Sequence, residues 1–150
     1  MSEARHFGKI LVPMDFSPAA LRAVELAADF ARQAGPAQLI LVHAYFVPLE
    51  VEALAVLGPE KIMEDIRARA AEDLEQILVR LQDTGVSAEY EASAGSPDEV
   101  VVRLARDKQV DLIVMGTRGR TGLAHALLGS VAERVIRTAP CPVLTVKPPE

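Results

Sequence analysis

The sequence predicts an α/β protein built on a doubly wound, five-stranded parallel sheet with helices on both faces. Short apolar segments alternate with helical segments along the chain, and this alternation favours a parallel sheet. Three of the strand segments are nearly continuous apolar runs, which is typical of strands buried on both faces. The 150 residues, 50% hydrophobic and 25% charged, predict a single domain at residues 1–150 with a full core.

The strand segments are short and evenly spread. They read KILVPM at residues 9–14, AQLILVHAY at 37–45, VSAEYEAS at 86–93, VDLIVMG at 110–116 and CPVLTVK at 141–147. If strands one to three run in one direction across the sheet and strands four and five return beyond strand one, the order is 3-2-1-4-5. Ligands of such sheets bind where the order reverses, here between strands one and four.

The first two helices show apolar stripes. The first, at residues 17–33, is rich in alanine and ends at Gly35 and Pro36. Its predicted buried face consists of Leu21, Val24, Ala28 and Ala31. The second runs over residues 59–82, with one apolar stripe made of Ile62, Ile66, Leu74, Ile77 and Leu81.

The last two helices have recognisable starts. Ser96 is the predicted N-cap of the third, with Pro97 at its first position and Glu99 completing a capping box. The fourth begins at Gly129 and Ser130 and runs to about residue 138.

Composition excludes several classes of function. The net charge of -5 is spread along the chain without a basic block, so nucleic acid and membrane surfaces are not expected partners. A single cysteine, Cys141, excludes an internal disulfide, and together with the lack of a signal-peptide or membrane-spanning pattern it predicts a cytoplasmic protein. His43 and His125 lack metal-ligating partners at suitable spacing, so no metal site is predicted.

A glycine-rich run follows strand four and predicts an anion site. Four of the chain's nine glycines lie in VMGTRGRTGLAHALLGSVAERVI, residues 114–136. Glycine lets backbone approach a ligand closely and adopt positive φ. The amides of Gly129, Ser130 and Val131 at a helix start favour an anion, and Arg118 and Arg120 add positive charge. The run is neither a Walker loop nor the dinucleotide-binding fingerprint.

These residues resemble a known family. MGTRGRTGLAHALLGS fits the G-x2-G-x9-G-S/T pattern of the ATP-binding branch of the universal stress proteins, through Gly116, Gly119, Gly129 and Ser130. KILVPMDFSPAALRAVELAADFA, LILVHAY and APCPVLTVK also resemble that family, so the resemblance spans nearly the whole chain. It implies a Rossmann-like fold of the adenine nucleotide alpha hydrolase type and a stress-response role.

The resemblance also implies a cofactor and a site. ATP is the implied cofactor, with Mg2+ as a possible companion, and the glycines and Ser130 would hold the ribose and phosphates. Asp15 and the backbone near Ala44 would contact the adenosine end. Because a carboxylate repels bare phosphates, Asp15 is expected at ribose, base or Mg2+. The candidate residues are Pro13, Asp15, Ala44, Met115, Gly116, Arg118, Gly119, Arg120, Gly129, Ser130 and Val131.

Alternatives remain at this stage. Gly116 and Gly119 could simply turn the chain, while Ser130 and Asp15 could be helix caps. The favoured function is a nucleotide-dependent regulatory module with at most slow hydrolysis. An ATP-hydrolysing or phosphoryl-transferring enzyme using the same site is the alternative, with no catalytic residue assigned. A flavodoxin-like FMN carrier suits the fold but lacks the phosphate loop after strand one and a tryptophan.

Two segments predict contacts with other groups. The last strand, between Val143 and Lys147, lies at a sheet edge without a central proline, and it predicts a homodimer. The competing arrangement is an edge shielded by residues 1–8 in a monomer. The apolar segment between Tyr45 and Gly58 predicts a lid over the crevice or a subunit contact, with a local core as the alternative.

Overall fold

The computed structural model describes residues 6–33, 35–46, 58–118 and 128–150 of the chain. Strands and helices alternate through these ranges, as the sequence predicts. They are β1 (Lys9–Pro13), α1 (Pro18–Gln33), β2 (Gln38–Tyr45), α2 (Pro59–Asp83), β3 (Ser87–Ala94), α3 (Pro97–Asp107), β4 (Leu112–Gly116), α4 (Ser130–Thr138) and β5 (Val143–Val146). The predicted lid between Tyr45 and Gly58 falls mostly outside the described residues.

The sheet confirms the predicted order. Its strands run β3-β2-β1-β4-β5, and every adjacent pair is parallel. β1 therefore has β2 on one side and β4 on the other, and the winding reverses between β1 and β4. The carboxyl ends of these two strands diverge and leave a crevice above them.

The core has two layers, one on each face of the sheet. Ile10 and Val12 of β1 pack with α1 and α2, while Leu11 packs with α3 and α4 on the opposite face. This alternation follows from the two-residue period of a strand. The central strands bury both faces, which explains their continuous apolar sequences.

The contact between α1 and β4 is unusually close, and it corrects one prediction. A Cβ atom on Gly116 would lie only 2.8 Å from the Cβ of Ala19, so the buried face of α1 consists of alanines and Val24. Leu21, predicted on that face, is 42% exposed and lies beside Lys147. Leu21 lies about 200° around the helix from Ala19 and Ala23, so it turns away from the sheet once these alanines face it.

In the described ranges no helix has both the length and the apolarity needed to cross a membrane.

Candidate functional site

A cavity of about 410 Å³ lies above the carboxyl ends of β1 and β4. This volume is typical of small-molecule sites, which range over roughly 300–1,000 Å³. The described members of the predicted site all line it: Pro13, Asp15, Ala44, Met115, Gly116, Arg118, Gly129, Ser130 and Val131. Gly119, Arg120 and His125 lie outside the described residues.

On the β1 side of the crevice, the start of α1 is capped by the protein itself. The backbone N–H of Ala20 donates to Ser17 Oγ over 3.2 Å, as at an N-cap. The N–H of Ser17 donates to Asp15 Oδ1 over 2.9 Å, so Asp15 supports the cap without being one. Ser17 is 2% exposed. The amides of Ser17 and Ala20 are therefore engaged within the protein, and Pro18 has no N–H to offer a ligand.

On the β4 side, two backbone segments meet through a glycine. The N–H of Gly129 donates to the carbonyl oxygen of Thr117 over 2.6 Å, which corrects the prediction that this amide faces an anion. A Cβ on Gly129 would lie 3.1 Å from the same oxygen. Neither Gly116 nor Gly129 has a positive φ. Close packing, rather than left-handed backbone, requires glycine at both positions.

The start of α4 differs from that of α1 because its N-cap is Gly129, which has no side chain. Within the described part of the chain, no side chain makes a cap hydrogen bond there. Ser130 is exposed and Val131 half-buried, and both line the crevice. The first amides of a helix have no partner within the helix and lie at its positive end. The start of α4 therefore presents backbone donors to the crevice, an arrangement that suits an anion.

The start of α3 forms a third part of the crevice wall. Ser96 is its N-cap and Pro97 follows, as predicted, but the capping box with Glu99 is wrong, since Ser96 Oγ instead donates to Asp98 Oδ1 over 2.6 Å. An ionised carboxylate is a stronger hydrogen-bond acceptor than a backbone or neutral group, so the Ser96 hydroxyl donates its hydrogen bond to Asp98. This bond and Arg134, with Nη1 at 3.7 Å, hold the pKa of Asp98 below its ordinary value.

Several residues that line the cavity were not among those predicted from the sequence. They are Met14, Ser17, Ala20, Val42, Pro97, Val101, Thr117, Leu128 and Ala132. Ser17 could have been found, because Ser17-Pro18 repeats the Ser-Pro helix start at residues 96–97. Val42 could also have been predicted, because it lies two residues before Ala44 and therefore on the same face of the strand. Pro97 and Val101 reach the crevice through the placement of α3, for which the sequence carries no local signal.

Two further side chains considered in the sequence, His43 and Cys141, have structural roles. Nδ1 of His43 lies 2.7 Å from the carbonyl oxygen of Met14, which agrees with a satisfied strand-end histidine. Cys141 is half-buried, and burial raises the pKa of its thiol, so its reactive thiolate is disfavoured. The described residues contain no group of three His, Cys, Asp or Glu side chains placed to hold a metal ion.

Comparisons with known proteins cover almost the whole chain. Residues 6–147 match the sequence profile of the Universal stress protein family. Universal stress protein MJ0531 of Methanocaldococcus jannaschii is 38% identical over 144 residues, which are 96% of this chain and 84% of that protein. The solved structure of MJ0577, from the same organism, has a TM-score of 0.87 at 32% identity and covers 97% of this chain and 99% of its own.

A second solved structure adds a ligand. It is a universal stress protein in complex with cAMP, with a TM-score of 0.65 at 29% identity over 97% of this chain and 100% of its own.

Proposed function

Because the chain belongs to the universal stress protein family, we propose that it binds ATP in the crevice between β1 and β4 as a cytoplasmic, nucleotide-dependent regulatory module of the stress response. A relative that binds cAMP supports an adenine nucleotide as the ligand. The match of Gly116, Gly119, Gly129 and Ser130 to the ATP-binding pattern favours ATP among adenine nucleotides.

The observation that carries the proposal is the uncapped start of α4 at one end of the cavity. The amides of Ser130 and Val131 would donate to phosphate oxygens, and the Ser130 hydroxyl would add a third donor. Arg118 lines the same part of the crevice and supplies positive charge. Backbone donors, a hydroxyl and a guanidinium form a donor set suited to phosphate.

The part of the cavity lining that comes from the sheet and from the start of α3 suits a nucleoside. Val42, Ala44 and Pro13 form an apolar wall on the sheet, and Pro97 with Val101 of α3 forms another. Asp15 is the carboxylate among the described lining residues, and a ribose hydroxyl could donate to it. The adenosine would therefore lie toward β2 and the phosphates toward α4.

The proposed role is binding, with slow turnover. Rapid hydrolysis needs a positioned base, a metal site and charge stabilisation at the γ-phosphate. Among the described residues that line the cavity, Asp15 supplies the carboxylate, and one of its oxygens already accepts a hydrogen bond from the Ser17 amide. If Mg2+ accompanies the phosphates, Asp15 would contact it in place of the ribose hydroxyl, and the carboxylate charge would then assist binding more than chemistry.

Calorimetric titration tests the proposal. We expect ATP to bind at micromolar concentration, about -8 kcal/mol, and more tightly than GTP, since backbone groups near Ala44 can distinguish the base edges. Nucleotide released from the purified protein by denaturation, identified by mass spectrometry, should be an adenine nucleotide. Equal affinity for ATP and GTP would refute the adenine pocket, and the absence of binding to either would refute the proposed function.

We also propose a homodimer formed by β5, which lies at the edge of the sheet. The carbonyl group of Pro142 accepts from Ile113 of β4, and that of Val146 accepts from Thr117, directly after β4. By the two-residue period, Val143 and Thr145 therefore direct their backbone groups to the free edge. The competing prediction is that residues 1–8 cover the β5 edge. Of these, the described residues 6–8 lead to β1 in the middle of the sheet, where the Gly8 carbonyl accepts from Gln38 at the start of β2. A second β5 strand can pair antiparallel across a two-fold axis.

Light scattering of two matched variants tests the dimer. Thr145→Pro removes an edge N–H without removing a donor to β4, so we expect a monomer. Thr145→Val retains the N–H and should remain a dimer. A monomeric wild-type protein at micromolar concentration would refute this interface.

A further inference from the structure

The loop between β1 and α1 contains a strained residue next to the proposed ligand contact. Phe16 has a φ of 63°, in the left-handed region that bulky side chains rarely adopt. It lies between Asp15, which lines the crevice, and Ser17, which caps α1. Strained residues persist only where their surroundings fix them, and they are frequent at ligand sites.

His43 of β2 contacts this loop at two residues, Met14 and Phe16. Its Nδ1 lies 2.7 Å from the Met14 carbonyl oxygen, and because a carbonyl can only accept, Nδ1 carries the proton. The His43 ring also contacts the ring of Phe16, with centroids 5.2 Å apart and planes tilted by 52°. The N–H of Met14 in turn donates to the Val42 carbonyl over 2.7 Å. β2 therefore contacts the loop at the residues before and after Asp15.

The His43 side chain is separated from the crevice by the strand itself. Val42 and Ala44 line the crevice, so by strand alternation His43 lies on the face that packs against α1. Phe16 also packs against the core on that face. An influence of His43 on a ligand must therefore pass through the loop.

We propose that His43 is a positioning residue of the nucleotide site: by holding Met14 and the left-handed turn at Phe16, it sets the direction of the Asp15 carboxylate. The inference rests on the proposed nucleotide-binding function. Its physical basis is preorganisation, since a loop fixed before binding loses less conformational freedom when the ligand arrives. Losing the constraint should weaken binding of the nucleoside portion without touching the phosphate contacts.

The test uses calorimetric titration of ATP and adenosine into wild type and variants. His43→Phe keeps an aromatic ring against Phe16 but loses the hydrogen bond, and we expect both ligands to bind about tenfold more weakly. His43→Asn can still donate from its amide to Met14 and should lose less. An equal loss of affinity for ATP and adenosine would show that His43 acts on the nucleoside portion, because adenosine has no phosphate to contact.

A double-mutant cycle with Asp15→Asn identifies the route of the effect. If His43 acts through Asp15, His43→Phe should cost less than about twofold in the Asp15→Asn background. Phe16→Gly should weaken adenosine binding, whereas Gln109→Gly should not, although Gln109 is also left-handed, with a φ of 54°. Gln109 lies after α3, away from the crevice.

The outcomes separate the two claims. If the wild-type protein binds neither ATP nor adenosine, the proposed function is contradicted. Wild type that binds, with His43→Phe and His43→Asn both within about twofold of it, overturns the inference alone. Fully additive losses in the cycle also overturn it, because His43 would then act independently of Asp15.

Discussion

The starts of α1 and α4 face the same crevice from its two sides, and they differ in how their first backbone amides are capped. At α1, the buried Ser17 caps the helix and Asp15 supports the cap. At α4, the N-cap is Gly129, and the exposed Ser130 follows it. A helix start without a side-chain cap leaves donors for water or a ligand. The comparison favours α4 over α1 as the place where an anion would bind.

Each side uses a glycine for packing, and this limits what the motif itself says about ligands. Gly116 allows α1 to approach β4, and Gly129 allows its own segment to approach Thr117. Gly116 and Gly129, the two described glycines of the motif, therefore shape the crevice. Among the described residues, the groups proposed to bind phosphate are the amides of Ser130 and Val131, the Ser130 hydroxyl and the Arg118 guanidinium.

The largest expected effect is on stability, from Gly116→Ala. The added Cβ would lie within 3.0 Å of backbone atoms of Ala19 and Ala20, so α1 must move. We expect a loss of about 3 kcal/mol in the free energy of unfolding, measured by urea denaturation. Gly8→Ala is the control, because its Cβ would meet only Asp111 Oδ2 at 3.4 Å, and its cost should be small. Equal costs would contradict the close α1–β4 contact.

The next effect is on binding, from Ser130→Ala. Loss of a hydroxyl donor to a charged phosphate should weaken ATP binding by about 1.5–3 kcal/mol. The free energy of unfolding should hardly change, because Ser130 is exposed and makes no described cap hydrogen bond. Calorimetry and urea denaturation measure the two quantities separately. Unchanged ATP affinity would remove Ser130 from the phosphate site.

Ser17→Ala should show the opposite pattern. Removing the N-cap of α1 should lower the free energy of unfolding by about 1–2 kcal/mol, while the ATP affinity of the folded protein changes little. The same two measurements apply. If Ser17→Ala weakened ATP binding as much as Ser130→Ala, the two helix starts would not have the separate roles assigned to them.

The smallest effect concerns Asp98 at the start of α3. Because the Ser96 hydroxyl and Arg134 lower its pKa in the folded state, Asp98 stabilises the fold above its unfolded pKa of about 3.9, and the contribution is lost as pH falls through the folded pKa. Asp98→Asn should be less stable than wild type at neutral pH, by no more than about 1 kcal/mol. Urea denaturation at several pH values should show this difference vanishing in acid. A constant difference would contradict the charge-dependent origin.

The sheet was predictable because its signals are local. Continuous apolar runs such as LILV mark the central strands, and the alternation of elements predicts a parallel sheet. The order 3-2-1-4-5 additionally required the assumption that strands four and five return beyond strand one. The closeness of helix packing has no such signal. Leu21 fits an apolar helical period, yet the contact between Ala19 and Gly116 shows that the alanines face the sheet, and Leu21 lies about 200° around the helix from Ala19.

The candidate site was predictable in outline and less so in detail. Asp15 and Gly129 could be placed at the crevice, since the strand order brings the ends of strands one and four together. Hydrogen bonds inside the site could not be predicted, because they depend on which groups meet. The Gly129 amide is engaged by Thr117, and Ser96 donates to Asp98 instead of joining a capping box with Glu99.

The most direct test of the difference between the two helix starts is an ATP titration followed in the amide ¹H–¹⁵N NMR spectrum, with adenosine as the control ligand. We expect ATP to shift the amide signals of Ser130 and Val131 strongly, while those of Ala19 and Ala20 stay nearly fixed. Adenosine should perturb signals near Ala44 and leave Ser130 and Val131 unchanged. Strong ATP shifts at Ala19 and Ala20, with Ser130 and Val131 unmoved, would contradict the assignment of the phosphate site to α4.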